Sequence, residues 1–222
     1  MKPSTTNFNT QGDEQRGSIR PLKNNYVRMK RTLICLLAGL AFMGRADAQI
    51  TFRKIDTTMK VGNTGFKVNS RNKDIGTNMA SVRPIGFESP ANENMNIPVR
   101  GRISFVQVDD LNNDGIADLV MFIYNDSAAK HGTVLVLMSE GNKSILPCAL
   151  PDPALDGKIN TGYKGGDQFS MMEGTLLEKF PVFKAGDKDS LPTGGNRVVQ
   201  YTVGRNETGG YKFSILRFYD TH

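Results

Sequence analysis

The spacing of apolar residues constrains the fold of this chain more than any other feature. From residue 50 onward, apolar side chains recur at every second position or in short runs, and Gly, Pro, Asn and Asp separate these runs. This spacing is typical of β-strands, because successive side chains of a strand point to opposite faces of its sheet. The sequence therefore predicts a single all-β domain over residues 49–222, with an antiparallel β-sandwich or barrel-like fold.

Turn residues divide the domain into ten predicted strands. A Gly-bounded loop between the last two predicts a hairpin, and residues 142–163, which are rich in Pro, Asp and Gly, predict a long connection. The predicted strands cover residues 50–54, 65–69, 81–87, 99–108, 119–124, 133–138, 168–171, 175–183, 197–203 and 211–218.

An apolar run near the start of the chain indicates export. Residues 33–43 are all apolar or small, Lys30 and Arg31 precede them, and Ala46-Asp47-Ala48 follows. Basic residues, an apolar run and a small-x-small pattern together are typical of a secretory signal peptide. The run is about half as long as a membrane-spanning helix, so we expect no membrane span in the mature form.

The basic residues place the predicted signal peptide at residues 29–48, with cleavage before Gln49. Residues 1–28 are polar and without hydrophobic period, so we interpret them as a disordered leader or a mis-assigned start. The predicted location of the mature protein is therefore periplasmic or secreted.

Charge and cysteine content narrow the range of partners. Residues 1–48 contain eight of the 28 basic and three of the 22 acidic residues, which leaves 20 and 19 in the predicted domain. A near-neutral domain gives no reason to expect nucleic acid as a partner. Cys35 would leave with the signal peptide, so Cys148 would stand alone, and we expect it to be a small buried apolar residue.

The segment DLNNDGIAD, residues 110–118, has the spacing of a calcium-binding loop. Alternate residues of a tight loop can direct several oxygens to one point, and Ca²⁺ takes six to eight oxygen ligands. Gly115 at position 6 allows the sharp turn. The predicted ligands are Asp110, Asn112, Asp114 and Asp118 through their side chains and Ile116 through its carbonyl.

This loop differs from an EF-hand in two ways. Met121 stands at position 12, where an EF-hand has Glu, and the predicted flanks are strands rather than helices. Asp109 adds a fourth acid, and a divalent ion would offset the repulsion among them. We therefore predict a structural Ca²⁺ in a strand–loop–strand site. A turn that binds nothing is the alternative.

The sequence gives little support for catalysis. His131 and His222 are the only histidines, so a Ser/His/Asp triad or a zinc site with several His ligands is hard to assemble. No Gly-rich phosphate loop is present. We expect the protein not to be an enzyme, and a hydrolase with a carboxylate pair remains as the third alternative.

Several short motifs in the second half of the domain resemble those of one protein family. They read GYKGGDQF over residues 162–169, FPVF over 180–183, Gly186-Asp187, and PTGGNR over 192–197. With the calcium loop, this pattern resembles the periplasmic inhibitors of invertebrate-type lysozyme and their relatives over residues 101–203.

The resemblance implies an antiparallel β-sandwich or barrel-like fold, and a short loop that enters the acidic cleft of a lysozyme-type glycoside hydrolase. The matching segment here is residues 125–132, in which Ala128 stands where the family has Gly. Lys130 and His131 could meet a carboxylate of the cleft. The predicted partner-binding residues are Tyr124, Asn125, Asp126, Ser127, Lys130 and His131.

Two functions follow as hypotheses. The first is inhibition of a lysozyme by insertion of the 125–132 loop. The second is a calcium-stabilised structural or glycan-binding envelope protein without inhibitory activity. In either case we expect the calcium loop to join the strands on its two sides and to hold the 125–132 loop in place.

Overall fold

The computed structural model of the protein describes residues 52–125 and 130–222. In this part of the chain, twelve β-strands and one turn of 3-10 helix, Pro153–Leu155, are present. The strands form three four-stranded antiparallel sheets. The prediction of an antiparallel all-β fold is therefore confirmed. The predicted leader and signal peptide, and Asp126 and Ser127, lie outside the described residues.

Each sheet is built from four strands that follow one another in the chain, so every connection within a sheet is a hairpin. The first sheet contains β1 (Ile55–Val61), β2 (Thr64–Ser70), β3 (Thr77–Ile85) and β4 (Met95–Arg100). The second contains β5 (Arg102–Asp109), β6 (Asp118–Tyr124), β7 (Gly132–Glu140) and β8 (Ser144–Ala149). The third contains β9 (Gln168–Met172), β10 (Thr175–Pro181), β11 (Asn196–Arg205) and β12 (Tyr211–Thr221).

The second sheet lies between the other two and is covered on both faces. All seven residues of β6 are buried, and alternate side chains enter different hydrophobic cores. Each core therefore receives one face of the same strand, and burying a side chain of this size contributes about 1.5–3 kcal/mol. Leu119, Met121 and Ile123 pack with the first sheet, whereas Val120, Phe122 and Tyr124 pack with the third.

The predicted strand over residues 99–108 is wrong, because the chain changes sheets in the middle of it. β4 ends at Arg100 and β5 begins at Arg102. Gly101 between them has a φ of 110°, and a Cβ there would lie 2.4 Å from the carbonyl oxygen of Tyr124. Only glycine fits this combination of backbone angle and close approach. Gly101 thus marks the passage from the first sheet to the second.

Two further boundary predictions are wrong. Of the predicted strand 50–54, residues 52–54 are not in a strand, and β1 begins at Ile55. The predicted connection 142–163 contains β8, which includes Pro147. Proline is tolerated there because β8 is an edge strand and bonds to only one neighbour, β7. The predicted hairpin between β11 and β12 is confirmed.

Cys148 is buried, as predicted, and burial raises the pKa of its thiol to about 11. Within residues 52–125 and 130–222, no helix is long and apolar enough to cross a membrane.

Candidate calcium loop and recognition loop

The predicted calcium loop connects β5 to β6, two antiparallel neighbours of the middle sheet. The last residue of β5, Asp109, pairs with the first residue of β6, Asp118, so both ends of the loop are fixed by the ladder. Asn113 and Gly115 have positive φ angles of 56° and 83°. The strand–loop–strand arrangement and the sharp turn at Gly115 are thus confirmed.

The carboxylates of Asp110 and Asp114 fold back into the loop. Asp110 Oδ1 accepts the N–H of Asp114 at 3.0 Å, and its Oδ2 accepts the N–H of Gly115 at 2.8 Å. Asp114 Oδ1 accepts the N–H of Ile116 at 2.9 Å, and its Oδ2 accepts the N–H of Gly141 at 3.0 Å. Asp114 also accepts a bond from the Asn112 amide at 3.2 Å and a long one from the Ser139 hydroxyl at 3.5 Å, so these bonds orient both predicted ligands, and a further lone pair remains on each oxygen of Asp110 only.

Asp118 has no solvent exposure. Its Oδ2 accepts the N–H of Leu111 at 2.8 Å, and its Oδ1 accepts the N–H of Ser139 at 2.6 Å. Burial raises the pKa of this carboxyl to about 6, and the negative charge of Asp114 acts in the same direction. A buried carboxylate beside a second acid is costly to ionise, and a bound cation would offset that cost.

Asn112 joins the loop to the rest of the molecule. Its Oδ1 accepts the N–H of Asp114 at 3.2 Å, and its amide donates to the carbonyl of Ser139 at 3.0 Å. The same amide donates to the hydroxyl of Tyr211, the first residue of β12, at 3.2 Å. The loop is therefore tied both to its own sheet and to the third sheet.

The structure thus brings the side chains of Asp110, Asn112, Asp114 and Asp118 into one hydrogen-bonded loop, with Ile116 between the last two. In the described part of the chain, no three His, Cys, Asp or Glu side chains form a group that could hold a metal ion by themselves. The predicted set of calcium ligands also includes the side-chain amide oxygen of Asn112 and the carbonyl oxygen of Ile116. The site therefore stays a prediction, and the buried Asp118 is the feature that fits a cation.

The predicted recognition loop lies at the other end of β6. The calcium loop precedes the first residue of this seven-residue strand, and the 125–132 loop follows its last residue, Tyr124. At about 3.3 Å per residue, the two loops are separated by about 20 Å. The two loops are therefore far apart, and the expectation that the calcium loop holds the 125–132 loop in place, which would have to act along β6, stays a prediction.

Asp167 holds the base of the recognition loop. Its Oδ2 accepts the N–H of Gly132 at 2.7 Å and the hydroxyl of Tyr163 at 2.9 Å. The backbone N–H groups of Gly166 and Asp167 both donate to the carbonyl of Lys130. The loop is closed by a bond from the N–H of Asn125 to the carbonyl of His131 at 3.2 Å. Asn125, Lys130 and His131 are exposed above this base.

A second buried acid, Glu178, was not predicted from the sequence. It lies on β10 with no solvent exposure, and its Oε2 accepts the hydroxyl of Tyr201 at 2.8 Å. Burial raises the pKa of Glu178 to about 8, and the charge of Asp167 adds to this shift. The sequence did contain a signal for this burial. Residues 176, 178 and 180 share one face of the strand and read Leu, Glu, Phe, which places an acid on an apolar face.

Asp167 resembles Glu178 in its environment. It is 1% exposed, and burial raises its pKa to about 6. Asp167 Oδ1 and Glu178 Oε1 are both buried and accept no hydrogen bond from the described residues. The two acids therefore share one kind of environment, in which the carboxyl group is buried and one of its oxygens is unsatisfied.

The other motif residues are structural ties between segments. Asp187 Oδ2 accepts the N–H groups of Lys184 at 2.7 Å and Thr193 at 2.8 Å, which closes the turn between β10 and β11. Arg197 is 8% exposed and pairs with Asp220 through two bonds, at 2.8 and 2.9 Å. These motif residues thus support the third sheet and the Asp167 clamp.

Comparison with known proteins adds no relative: no family model, no curated protein and no solved structure matches this chain.

Proposed function

We propose that this protein is an exported calcium-binding β-domain in which Ca²⁺ stabilises the connection between β5 and β6. The observation that carries the proposal is Asp118, a carboxylate without solvent exposure whose pKa is raised by burial, with a smaller contribution from its acidic neighbour Asp114. A divalent cation would lower the cost of ionising the buried Asp118.

The proposed ligands are all oxygens, which Ca²⁺ prefers. Asp110, Asn112, Asp114 and Asp118 would supply side-chain oxygens, and Ile116 would supply its carbonyl. Met121, at the position of the EF-hand glutamate, is fully buried in the core between the first two sheets. The ion would stabilise the loop. Ca²⁺ is the expected ion, because Mg²⁺ would keep more of its water and bind fewer protein ligands.

Removal of calcium should therefore lower the melting temperature. At a free Ca²⁺ concentration of about 100 times Kd, binding contributes about 2.7 kcal/mol, which corresponds to a shift of about 5–10 °C for a domain of this size. Asp114→Ala should abolish the difference between Ca²⁺ and chelator. Differential scanning calorimetry with excess Ca²⁺ or EGTA measures both results.

Asp74→Ala is a matched control, because Asp74 is an exposed acid in the connection between β2 and β3, away from the loop. This variant should keep the full difference between Ca²⁺ and EGTA. Identical melting of the wild type in both buffers would show that the loop binds no stabilising ion.

A second proposed function is inhibition of a lysozyme-type glycoside hydrolase through the 125–132 loop. The observation that favours it is the clamp on the loop, in which Asp167 and Gly166 bond to Gly132 and Lys130. Such a base limits the ordering cost of binding. Lys130 and His131 are exposed on it and could approach the carboxylates of an acidic cleft.

Combined Lys130→Ala and His131→Ala substitutions should weaken inhibition by about tenfold or more, equivalent to about 1.4 kcal/mol. The expected cause is loss of attraction to the acidic cleft. The measurement is inhibition of lysozymes of the invertebrate, chicken and goose types by wild-type and variant protein.

Lys60→Ala, an exposed lysine of the first sheet, is the control and should leave inhibition unchanged. Melting temperatures should agree among the three proteins. A wild-type protein that inhibits none of these lysozymes at micromolar concentration would exclude this second function.

A further inference from the structure

The first sheet has one face that packs against the second sheet and one that is open to solvent. Alternate side chains of β2 and β3, among them Phe66, Val68, Ala80 and Val82, enter the core that these two sheets share. The side chains between them point to the other side of the sheet and are largely exposed. We call this exposed side of β1 to β4 the outer face.

Each strand of the first sheet contributes one cation to the outer face. All four are exposed: Lys60 of β1, Lys67 of β2, Arg83 of β3 and Arg100 of β4. The only acid that these four strands place on the face is Asp56, and it accepts a bond from Lys54 at 3.1 Å. The cations of the strands therefore outnumber the acids, and the one acid already has a cationic partner.

The first sheet also differs in charge from the rest of the domain. Residues 52–102 contain nine basic and four acidic residues, whereas residues 103–222 contain 11 and 15. The near-neutral composition of the predicted domain is thus the sum of a cationic first sheet and an acidic remainder. Such a separation produces a local positive potential, which attracts anions although the net charge of the domain is close to zero.

Two of the outer-face cations repel each other. Lys67 on β2 lies directly opposite Arg83 on β3, and like charges in this position destabilise a sheet. In the part of the chain that the structure describes, neither side chain forms an ion pair with an acid. The pair therefore does not stabilise the fold, and an anion bound at the outer face would relieve the repulsion.

Exposed apolar side chains lie among cations at one end of the outer face. Ile75, in the connection between β2 and β3, is 41% exposed, and Met79, on β3, is 53% exposed. Arg71 and Lys73 are exposed in the same connection as Ile75. This end of the face thus combines positive charge with apolar surface.

A cavity of about 490 Å³ opens at the same end. Arg71 and Lys73 line it, and Asp74 is the only acid among its lining residues, so positive charge is in excess. Ser81 and Asn96, which are direct neighbours on β3 and β4, add a hydroxyl and an amide that can donate to a phosphate oxygen. The volume lies within the range of small-molecule sites, about 300–1,000 Å³, and suits a phospholipid headgroup.

We propose that the outer face of the first sheet binds the surface of a membrane that contains anionic phospholipids. The cations would bind the phosphate groups, and Ile75 and Met79 would enter the apolar layer beneath the headgroups. A soluble polyanion fits less well, because it would leave both apolar side chains in water. Nucleic acid would lack a further contact, since β1 to β4 place no aromatic side chain on this face for a base to stack on.

The contribution of charge is tested with Lys67→Gln combined with Arg83→Gln. This variant should melt no lower than the wild type, because the substitutions also remove the repulsion between the two cations. It should nevertheless bind anionic vesicles about tenfold more weakly or worse, since each cation near such a surface strengthens binding roughly fivefold. The matched control, Lys179→Gln with Lys212→Gln, removes two exposed lysines of the third sheet and should bind as the wild type does.

The contribution of the apolar side chains is tested with Ile75→Ser combined with Met79→Ser, which leaves every charge in place. Binding to anionic vesicles should weaken by about fivefold or more, because two side chains no longer enter the apolar layer. The matched control is Leu191→Ser with Leu216→Ser, at positions that are 60% and 58% exposed and lie outside the first sheet. This control should bind as the wild type does.

Co-sedimentation of the full chain with vesicles measures these effects, in EGTA so that the result is independent of the proposed calcium site. One set of vesicles contains phosphatidylcholine alone, and the other contains equal parts of phosphatidylcholine and phosphatidylglycerol. All the proteins share residues 1–51, so a difference between a variant and its control reports the described domain. The wild type should bind more tightly to the vesicles with phosphatidylglycerol, and added salt should weaken this binding because it screens exposed charges.

Equal binding by either variant and its matched control would overturn the proposal. Heparin and duplex DNA serve as soluble polyanions, and tighter binding of either one than of anionic vesicles would also overturn it. A separate titration with Ca²⁺ distinguishes this proposal from the calcium site. Protein that binds vesicles through the outer face but takes no Ca²⁺ would support the membrane surface and refute the calcium site, and the converse result would do the opposite.

Discussion

The wild-type protein should lose on the order of 2–3 kcal/mol of unfolding free energy between about pH 6 and about pH 9 because of Glu178. In the unfolded chain this carboxyl ionises near its ordinary value of 4.5, whereas burial in the folded protein raises its pKa to about 8. Between these values the folded state binds more protons than the unfolded state. Stability therefore falls as pH rises, and the fall ends once pH exceeds the folded pKa.

Glu178→Gln should largely remove this fall. The amide oxygen can still accept the Tyr201 hydroxyl bond that Glu178 Oε2 accepts at 2.8 Å, and no charge has to be buried. Guanidinium unfolding at pH 6, 7.5 and 9 in EGTA measures the effect, and Glu93→Gln, at an exposed position, is the control. Equal pH dependence in wild type and Glu178→Gln would contradict this account.

Asp118→Ala should lower the unfolding free energy by about 3 kcal/mol even in EGTA. The reason is that two backbone donors, the N–H groups of Leu111 and Ser139, would lose their acceptor in a region closed to water. Each unsatisfied buried donor costs about 1–3 kcal/mol. Urea unfolding in EGTA measures the loss without any contribution from a metal.

Asp114→Ala gives the informative comparison, because Asp114 is exposed and Asp118 is not. In EGTA the Asp114 variant should be clearly more stable than the Asp118 variant, and excess Ca²⁺ should rescue neither. If Asp118→Ala lowered the free energy of unfolding in EGTA no more than Asp114→Ala does, the hydrogen bonds of Asp118 would not stabilise the fold as proposed.

The locally encoded features were predicted from the sequence. The turn at Gly115 and the strands that flank the 110–118 loop depend on residues close together in the chain, and both are present. The hairpin between β11 and β12 is equally local. β8 was missed because Pro147 signals a turn unless the strand is known to be at an edge, which only the sheet reveals.

The features that depend on partners far apart in the chain could not be predicted in this way. The β6 sequence is apolar on both faces, which indicates burial on both sides but not which strands cover each face. The clamp of Asp167 on Gly132 joins residues 35 positions apart. A sequence pattern identified Asp167 within a motif. Only the packing of the third sheet on the second brings it within hydrogen-bond distance of Gly132.

The burial of β6 on both faces has a consequence for how the chain folds during synthesis. The strands that cover one face, β1 to β4, precede β6, and those that cover the other, β9 to β12, follow it. A nascent chain that ends after β8 would present Val120, Phe122, Val134 and Val136 to water on one side. Until the last third of the protein leaves the ribosome, that face is an exposed apolar surface that is prone to aggregation. A chaperone or rapid docking of the third sheet would have to protect it.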